Sequence, residues 1–218
     1  MRALAARSHE PAPEGRDAGH ARDRAGERAC SFHFLRHGAT DHNLRGLRCG
    51  GDVDVPLCDA GREQARRAGT ELQARGVAVR LIVTSALARA RETAAIVSRV
   101  LGGPPIEIEP LLNERRLGEW NARPVAETES LMVAKVPPPG GEAEQVFAAR
   151  IEQALARIRP RLEAGDVLVV SSKGVARMLN LLLGGDRSPE MVNGEIARFT
   201  LGPLFLRPAK PGVPMGSR

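Results

Sequence analysis

Short apolar runs alternate with longer stretches whose apolar residues recur every three or four positions. Phe32-His33-Phe34-Leu35 is flanked by apolar side chains and soon stopped by Gly38, which predicts a buried strand. Leu81-Ile82-Val83-Thr84 and Val167-Leu168-Val169-Val170 are continuous apolar runs of strand length, and Ile106-Glu107-Ile108 alternates as a strand does. Closing strands are predicted over 195–200 and 204–206. Between them, Ala65, Ala68 and Leu72 share one face of a helix expected over 60–75, with Asp59 placed to cap it and Gly76 placed to end it. Further helices are expected from 85 to about 101, over 142–162 and over 174–183. The apolar face of the 142–162 helix reads Val146, Ala149, Ile151, Leu155 and Ile158. Residues 123–141 hold a short helical pattern and then the loop Pro137-Pro138-Pro139-Gly140-Gly141, while Ser188-Pro189 reads as a helix start. Strands alternating with helices predict an α/β fold, a three-layer α/β/α sandwich around a mostly parallel central sheet. One domain is expected over 31–207. Residues 1–30 are polar and aperiodic and read as a disordered tail, with His9 and His20 inert in it; the Pro-rich end 208–218 reads as flexible.

Composition narrows the function classes. Of 218 residues 42% are apolar but only 3% aromatic, with no Tyr, so the core is built from Leu, Val, Ile and Ala. Single-stranded nucleic acid needs aromatic stacking platforms, and no basic run interleaved with aromatics exists; the net charge of +6 points instead to an anionic small molecule. No apolar run approaches a membrane span, and acidic residues at Glu10, Glu14, Asp17, Asp23 and Glu27 argue against a transit peptide. Cys30, Cys49 and Cys58 fit no metal or redox spacing and read as reduced thiols of a cytoplasmic protein. No metal or other cofactor is expected.

The chemistry gathers in Arg36-His37-Gly38-Ala39-Thr40-Asp41-His42-Asn43, at the carboxyl end of the first strand, where open α/β sheets bind ligands. Arg36 offers a planar fork of donors to phosphate oxygens, and a neutral His37 a lone pair that can attack phosphorus. Gly38 lets backbone approach a ligand, and Asn43 adds an amide donor. No Walker loop, His-Glu-x-x-His or Gly-x-Ser-x-Gly occurs.

Arg36-His37-Gly38-x-Thr40-x-x-Asn43 resembles the signature of the histidine phosphatase (phosphoglycerate mutase-like) superfamily. Later segments fit in order: Asp54-Val55-Pro56-Leu57, Ser85-x-Leu87-x-Arg89-Ala90-x-x-Thr93-Ala94, and Leu112-x-Glu114-x-x-x-Gly118-x-Trp120. The resemblance implies His37 as nucleophile, Glu114 as proton donor, and Arg36, Arg89 and Asn43 as phosphate ligands, with Arg91 a solvated helix charge. It also marks two departures. Asn121-Ala122 stands where the family usually has Glu-Gly. More seriously, Ser171-Ser172-Lys173-Gly174-Val175-Ala176-Arg177 stands where the family has Ser-His-Gly-Gly-Val-x-Arg, so Ser172 takes the place of a second pocket histidine and Lys173 that of a glycine; Arg177 and the downstream Asn193 still fit. Ser172 can donate a hydrogen bond but carries no charge, and Lys173 restores the charge only by folding its stem back into the pocket. Three activities are compatible with this pattern: a phosphatase working through phosphohistidine, a catalytically impaired protein that binds phosphorylated ligands or a protein partner, and a phosphomutase.

Overall fold

Period-two alternation in the strands decides which helices cover which face of the sheet. In β1 (Cys30–Arg36), Phe32 and Phe34 join one core cluster and Leu35 another; in β4 (Val167–Ser171), Val167 and Val169 join the first, Leu168 and Val170 the second. The first cluster is completed by Phe147, Ile151, Ala154, Leu155, Ile158 and Leu162 of α5 (Glu144–Glu163) and by Val175, Ala176, Met178 and Leu179 of α6 (Lys173–Leu182). The second is completed by Ala68 and Leu72 of α2 (Asp59–Ala74) and by Ala90, Ala94 and Val97 of α3 (Ala88–Val100). A sheet buried on both faces between two helical layers is the expected α/β/α sandwich.

The computed structural model describes residues 30–185 and 190–201. The sheet has five strands in the order β3-β2-β4-β1-β5, with β2 at Leu81–Thr84, β3 at Ile106–Ile108 and β5 at Ile196–Leu201. All neighbours are parallel except β5, which runs antiparallel along β1 with Phe32 opposite Phe199. Two short helices, α1 (Asp41–Leu44) and α4 (Val125–Val133), lie in the connections. Among the described residues no helix is long and apolar enough to cross a membrane.

Several expectations shift. Cys30 belongs to β1 rather than to a tail. Cys58, not Asp59, is the N-cap of α2; Asp59 is its first residue, and its carboxylate accepts from Arg62 at 2.8 Å while still facing the positive helix end. In α5 the buried stripe runs Phe147, Ile151, Ala154/Leu155, Ile158 and Leu162, so Val146 and Ala149 face solvent: the aromatic at 147, not the valine before it, sets the phase. Gly76 follows α2 at φ +67°, as a left-handed cap requires. The other expected features at residues 1–29, Ser188-Pro189, 204–206 and 208–218 lie outside the described residues.

Candidate active site

Three strand ends meet at one edge of the sheet. His37 N donates to Ser171 O at 2.8 Å and Ser85 N to Val170 O at 3.1 Å, so the residues following β1, β2 and β4 lie side by side. α2, in the connection that follows β1, covers one face and α6, which follows β4, the other, the arrangement in which open α/β sheets bind ligands between neighbouring strand ends.

On the β1 side, His37 is buried, and its Nδ1 lies 2.7 Å from Gly38 O. A carbonyl only accepts, so Nδ1 carries the proton and Nε2 keeps its lone pair. Burial pushes the imidazole pKa well below its ordinary value, the charges of Arg89 and Arg36 push the same way, and only the bond to Gly38 opposes them. The ring is thus held neutral in one tautomer, with Nε2 unprotonated. The turn beneath it is braced throughout. Gly38 N donates to Thr93 Oγ1 at 3.1 Å and Ala39 N to Gln64 Oε1 at 2.7 Å. A Cβ on Gly38 would overlap the Gly61 carbonyl, so only glycine lets the turn sit this close to α2. Thr40 and Asn43 close a capping box on α1. Asn193 Nδ2 donates to His37 O at 3.0 Å and to Asn43 Oδ1 at 3.2 Å. Asn43 therefore spends its oxygen on the turn, leaving its Nδ2 as the donor it can offer a ligand.

The two arginines are anchored at their tips. Arg89 is fully buried, donating from Nη1 to Val53 O at 2.9 Å and from Nη2 to Gly50 O at 3.1 Å, which ties the 49–53 loop to α3. The residue after this loop caps α3, where Leu87 has no capping side chain: Asp54 Oδ1 accepts from Ala88 N at 2.6 Å. Arg36 Nη1 donates to Met191 O at 2.6 Å. The Nε of each arginine is buried without a partner, as is the hydroxyl of Ser172. Buried donors without acceptors are costly. Arg91 is exposed, as expected.

On the far side, Glu114 accepts from Arg115 N at 2.7 Å through Oε1 and from Gly174 N at 3.0 Å through Oε2. A Cβ at Gly174 would overlap that carboxylate, so a side chain there would require the Glu114 carboxylate to move from its present place on α6. The Glu114 loop is held by a residue that the motifs do not include. Arg150 on α5 donates to Leu111 O at 2.7 Å, Asn113 O at 2.8 Å and Glu114 O at 3.2 Å, and forks onto Glu142 at 2.9 and 2.7 Å. Burial works to raise the Glu142 carboxyl, but the hydrogen bonds and charge of Arg150 outweigh it and hold the group below the carboxylate range.

Ser172 is the N-cap of α6 and 1% exposed, directly beside His37 through the β1–β4 pairing. Lys173 does not fold back toward Ser172; its Nζ donates to Glu190 Oε2 at 2.9 Å on the exposed rim. Asn121 joins two loops, accepting from Gly50 N at 2.7 Å and donating to Asp52 Oδ1 at 2.7 Å. Ala122 sits at φ +59°, a conformation that a glycine would adopt without strain. Arg36 and Arg89 thus lie in electrostatic reach of His37, and Glu114 in reach of Arg36; Asn43 is tied to the His37 turn through Asn193, Ser172 follows the strand end paired with it, and Lys173 stands on the exposed rim.

Residues 32–196 match the family described as the histidine phosphatase superfamily (branch 1). The 2,3-bisphosphoglycerate-dependent phosphoglycerate mutase of Methylobacterium sp. (strain 4-46) is 34% identical over 166 residues, 70% of this chain and 79% of that protein. The adenosylcobalamin/alpha-ribazole phosphatase of Escherichia coli (strain K12) is 36% identical over 158 residues, 67% of this chain and 75% of that protein. Among solved structures, a mycobacterial glucosyl-3-phosphoglycerate phosphatase complexed with VO3 superposes with a TM-score of 0.66 at 27% identity, over 78% of this chain and 90% of that one.

Proposed function

The chain belongs to the histidine phosphatase superfamily, and from that premise we propose that it hydrolyses a phosphorylated small molecule through a phosphohistidine at His37. The observation that carries this reading is the imidazole itself: buried, held neutral, and fixed through Nδ1 so that only Nε2 is free to react. In the first step Nε2 attacks phosphorus, the N–P bond forms and the ester O–P bond breaks. The leaving oxygen takes a proton delivered by the Glu114 carboxyl. In the second step Glu114 removes a proton from water, the oxygen attacks phosphorus, the N–P bond breaks and phosphate leaves. Charge on the three equatorial oxygens falls to Arg36, Arg89, the Asn43 amide and the Ser172 hydroxyl. The free thiols of Cys30, Cys49 and Cys58 fit a reducing compartment, and a cytoplasmic enzyme follows from this reading.

Ser172 favours a second reading, a protein that binds phosphorylated ligands with little turnover, because its neutral hydroxyl stands beside the nucleophile and the nearest added cation is engaged by Glu190. A mutase would use the same chemistry with a second acceptor, as the name of the Methylobacterium relative describes; the E. coli and mycobacterial phosphatases support hydrolysis. Turnover of p-nitrophenyl phosphate measured beside a phosphate-binding titration separates them. Turnover supports the enzyme, saturable binding without turnover supports the binding protein, and neither would overturn both.

A further inference from the structure

We propose that Arg150 is a positioning residue for Glu114, setting the place of the proton donor through the backbone of residues 111–114, with Glu142 fixing the Arg150 fork. The inference rests on the reading of Glu114 as proton donor. Glu114 lies on irregular backbone between the 3₁₀ turns Pro110–Leu112 and Gly118–Trp120. Carbonyls on such a segment need donors from outside a helix or strand ladder. Residues 111 to 116 all find one. Leu112 O accepts from Ser171 Oγ at 2.6 Å, Arg115 O from Gly51 N at 2.9 Å and Arg116 O from Glu142 N at 2.9 Å. The other carbonyls, those of Leu111, Asn113 and Glu114, all accept from Arg150. One side chain thus sets half of the segment that carries the proton donor.

The fit of this side chain is complete. A guanidinium has five N–H donors, and here each has its own acceptor. Nε and one Nη2 donor go to the two Glu142 oxygens, both Nη1 donors to Leu111 O and Asn113 O, and the other Nη2 donor to Glu114 O. The guanidinium carbon lies 5.0 Å from the centroid of the buried Phe147 ring. Glu142 is itself fixed: Oε2 accepts from Arg116 N at 3.3 Å, and its carbonyl from Arg115 Nε at 2.7 Å. Its carboxylate balances the charge of Arg150, so what the arginine gives the loop is geometry rather than a field. Lysine carries the same charge but has three donors and no planar fork, so it cannot hold these five acceptors. Without the fork three carbonyls lose their donor, and the Glu114 carboxyl shifts with its backbone. Proton transfer needs hydrogen-bond reach, and a misplacement of about 1 Å can cost about 10²-fold in rate.

The test is a double-mutant cycle in the full chain, with kcat and KM measured on p-nitrophenyl phosphate and the affinity for inorganic phosphate measured by calorimetry. Arg150→Gln should lower kcat about 10²-fold. KM and phosphate affinity should stay unchanged, because the groups proposed to hold phosphate are not the ones displaced. Arg150→Lys keeps the charge and loses the fork, so it should fall by a similar factor; where circular dichroism shows the glutamine variant unfolded, the lysine variant carries the cycle. In a Glu114→Gln background either change should cost less than about twofold more, since residues that act as a unit are not additive. Losses that multiply in the double variant, or an Arg150→Lys chain as active as the wild type, would overturn the positioning role alone. Glu114→Gln as active as the wild type would overturn the donor through which Arg150 is argued to act. A wild-type chain without turnover would overturn the phosphatase reading and this inference with it.

Discussion

The turn after β1 and the turn after β4 sit side by side in the sheet, yet they are built to different standards. The first is braced by Gly38, Ala39, Thr40, Asn43 and Asn193, with its backbone and side-chain groups tied to Thr93, Gln64 and one another. The second leaves the Ser172 hydroxyl and Arg177 Nε buried without partners and sends Lys173 out to a surface carboxylate. The proposed function gives the difference a meaning: in that reading the group that makes and breaks covalent bonds is the braced one, because nucleophilic attack depends on position, while the side that balances charge is free to vary.

The sharpest way to break the contrast is at the single rigid element of the second turn. Gly174→Ala puts a methyl group where the Glu114 carboxylate now lies and displaces the group proposed as proton donor. We expect the rate constant on p-nitrophenyl phosphate to fall about 10²-fold, the worth of a positioned proton donor, while circular dichroism stays unchanged. An undiminished rate would mean that Glu114 is not the donor.

A smaller, opposite effect is expected from finishing the second turn. Ser172→His together with Lys173→Gly restores the family's motif beside His37. It should raise the same rate constant by at least about tenfold, roughly 1.4 kcal/mol of barrier. A folded double variant that is no faster would favour the binding-only reading.

The braced histidine was the legible part. Its strand is a short apolar run, and Arg36-His37-Gly38 is local in sequence. Glu114 and Arg89 were legible for the same reason: each lies in its own short motif. What holds Glu114 was not legible. Arg150 and Glu142 lie on a helix and before it, 36 and 28 positions downstream of Glu114, and in sequence they look like ordinary charged residues of an amphipathic pattern. Only the fold folds their charges inward, Glu142 to 3% exposure. Asp54 escaped notice as a helix cap because it caps a helix 34 positions away rather than the one it precedes. Lys173 shows the remaining limit: its position was readable, but its choice of Glu190 depends on a segment brought in from downstream.

The smallest expected signal is a titration. Because burial and the two guanidiniums depress the His37 pKa, its imidazole resonances should stay those of the neutral ring as pH falls through about 6.5, where an unfolded histidine protonates. Over that interval the unfolded chain binds a proton that the native chain does not. Stability associated with His37 is therefore full above about 6.5 and is lost as pH falls from there toward the native pKa. A His37 ring titrating at the ordinary value would show that the site is wetter than the structure describes.

The central claim is that His37 Nε2 becomes covalently phosphorylated. Acid-free rapid quenching of the full chain with a labelled phosphomonoester, followed by peptide mass spectrometry, tests it most directly. The account predicts an acid-labile phosphoryl group on the peptide containing His37, absent from His37→Ala, whose turnover should fall by about 10⁴-fold or more. Label retained by His37→Ala, or turnover that survives the substitution, would contradict it.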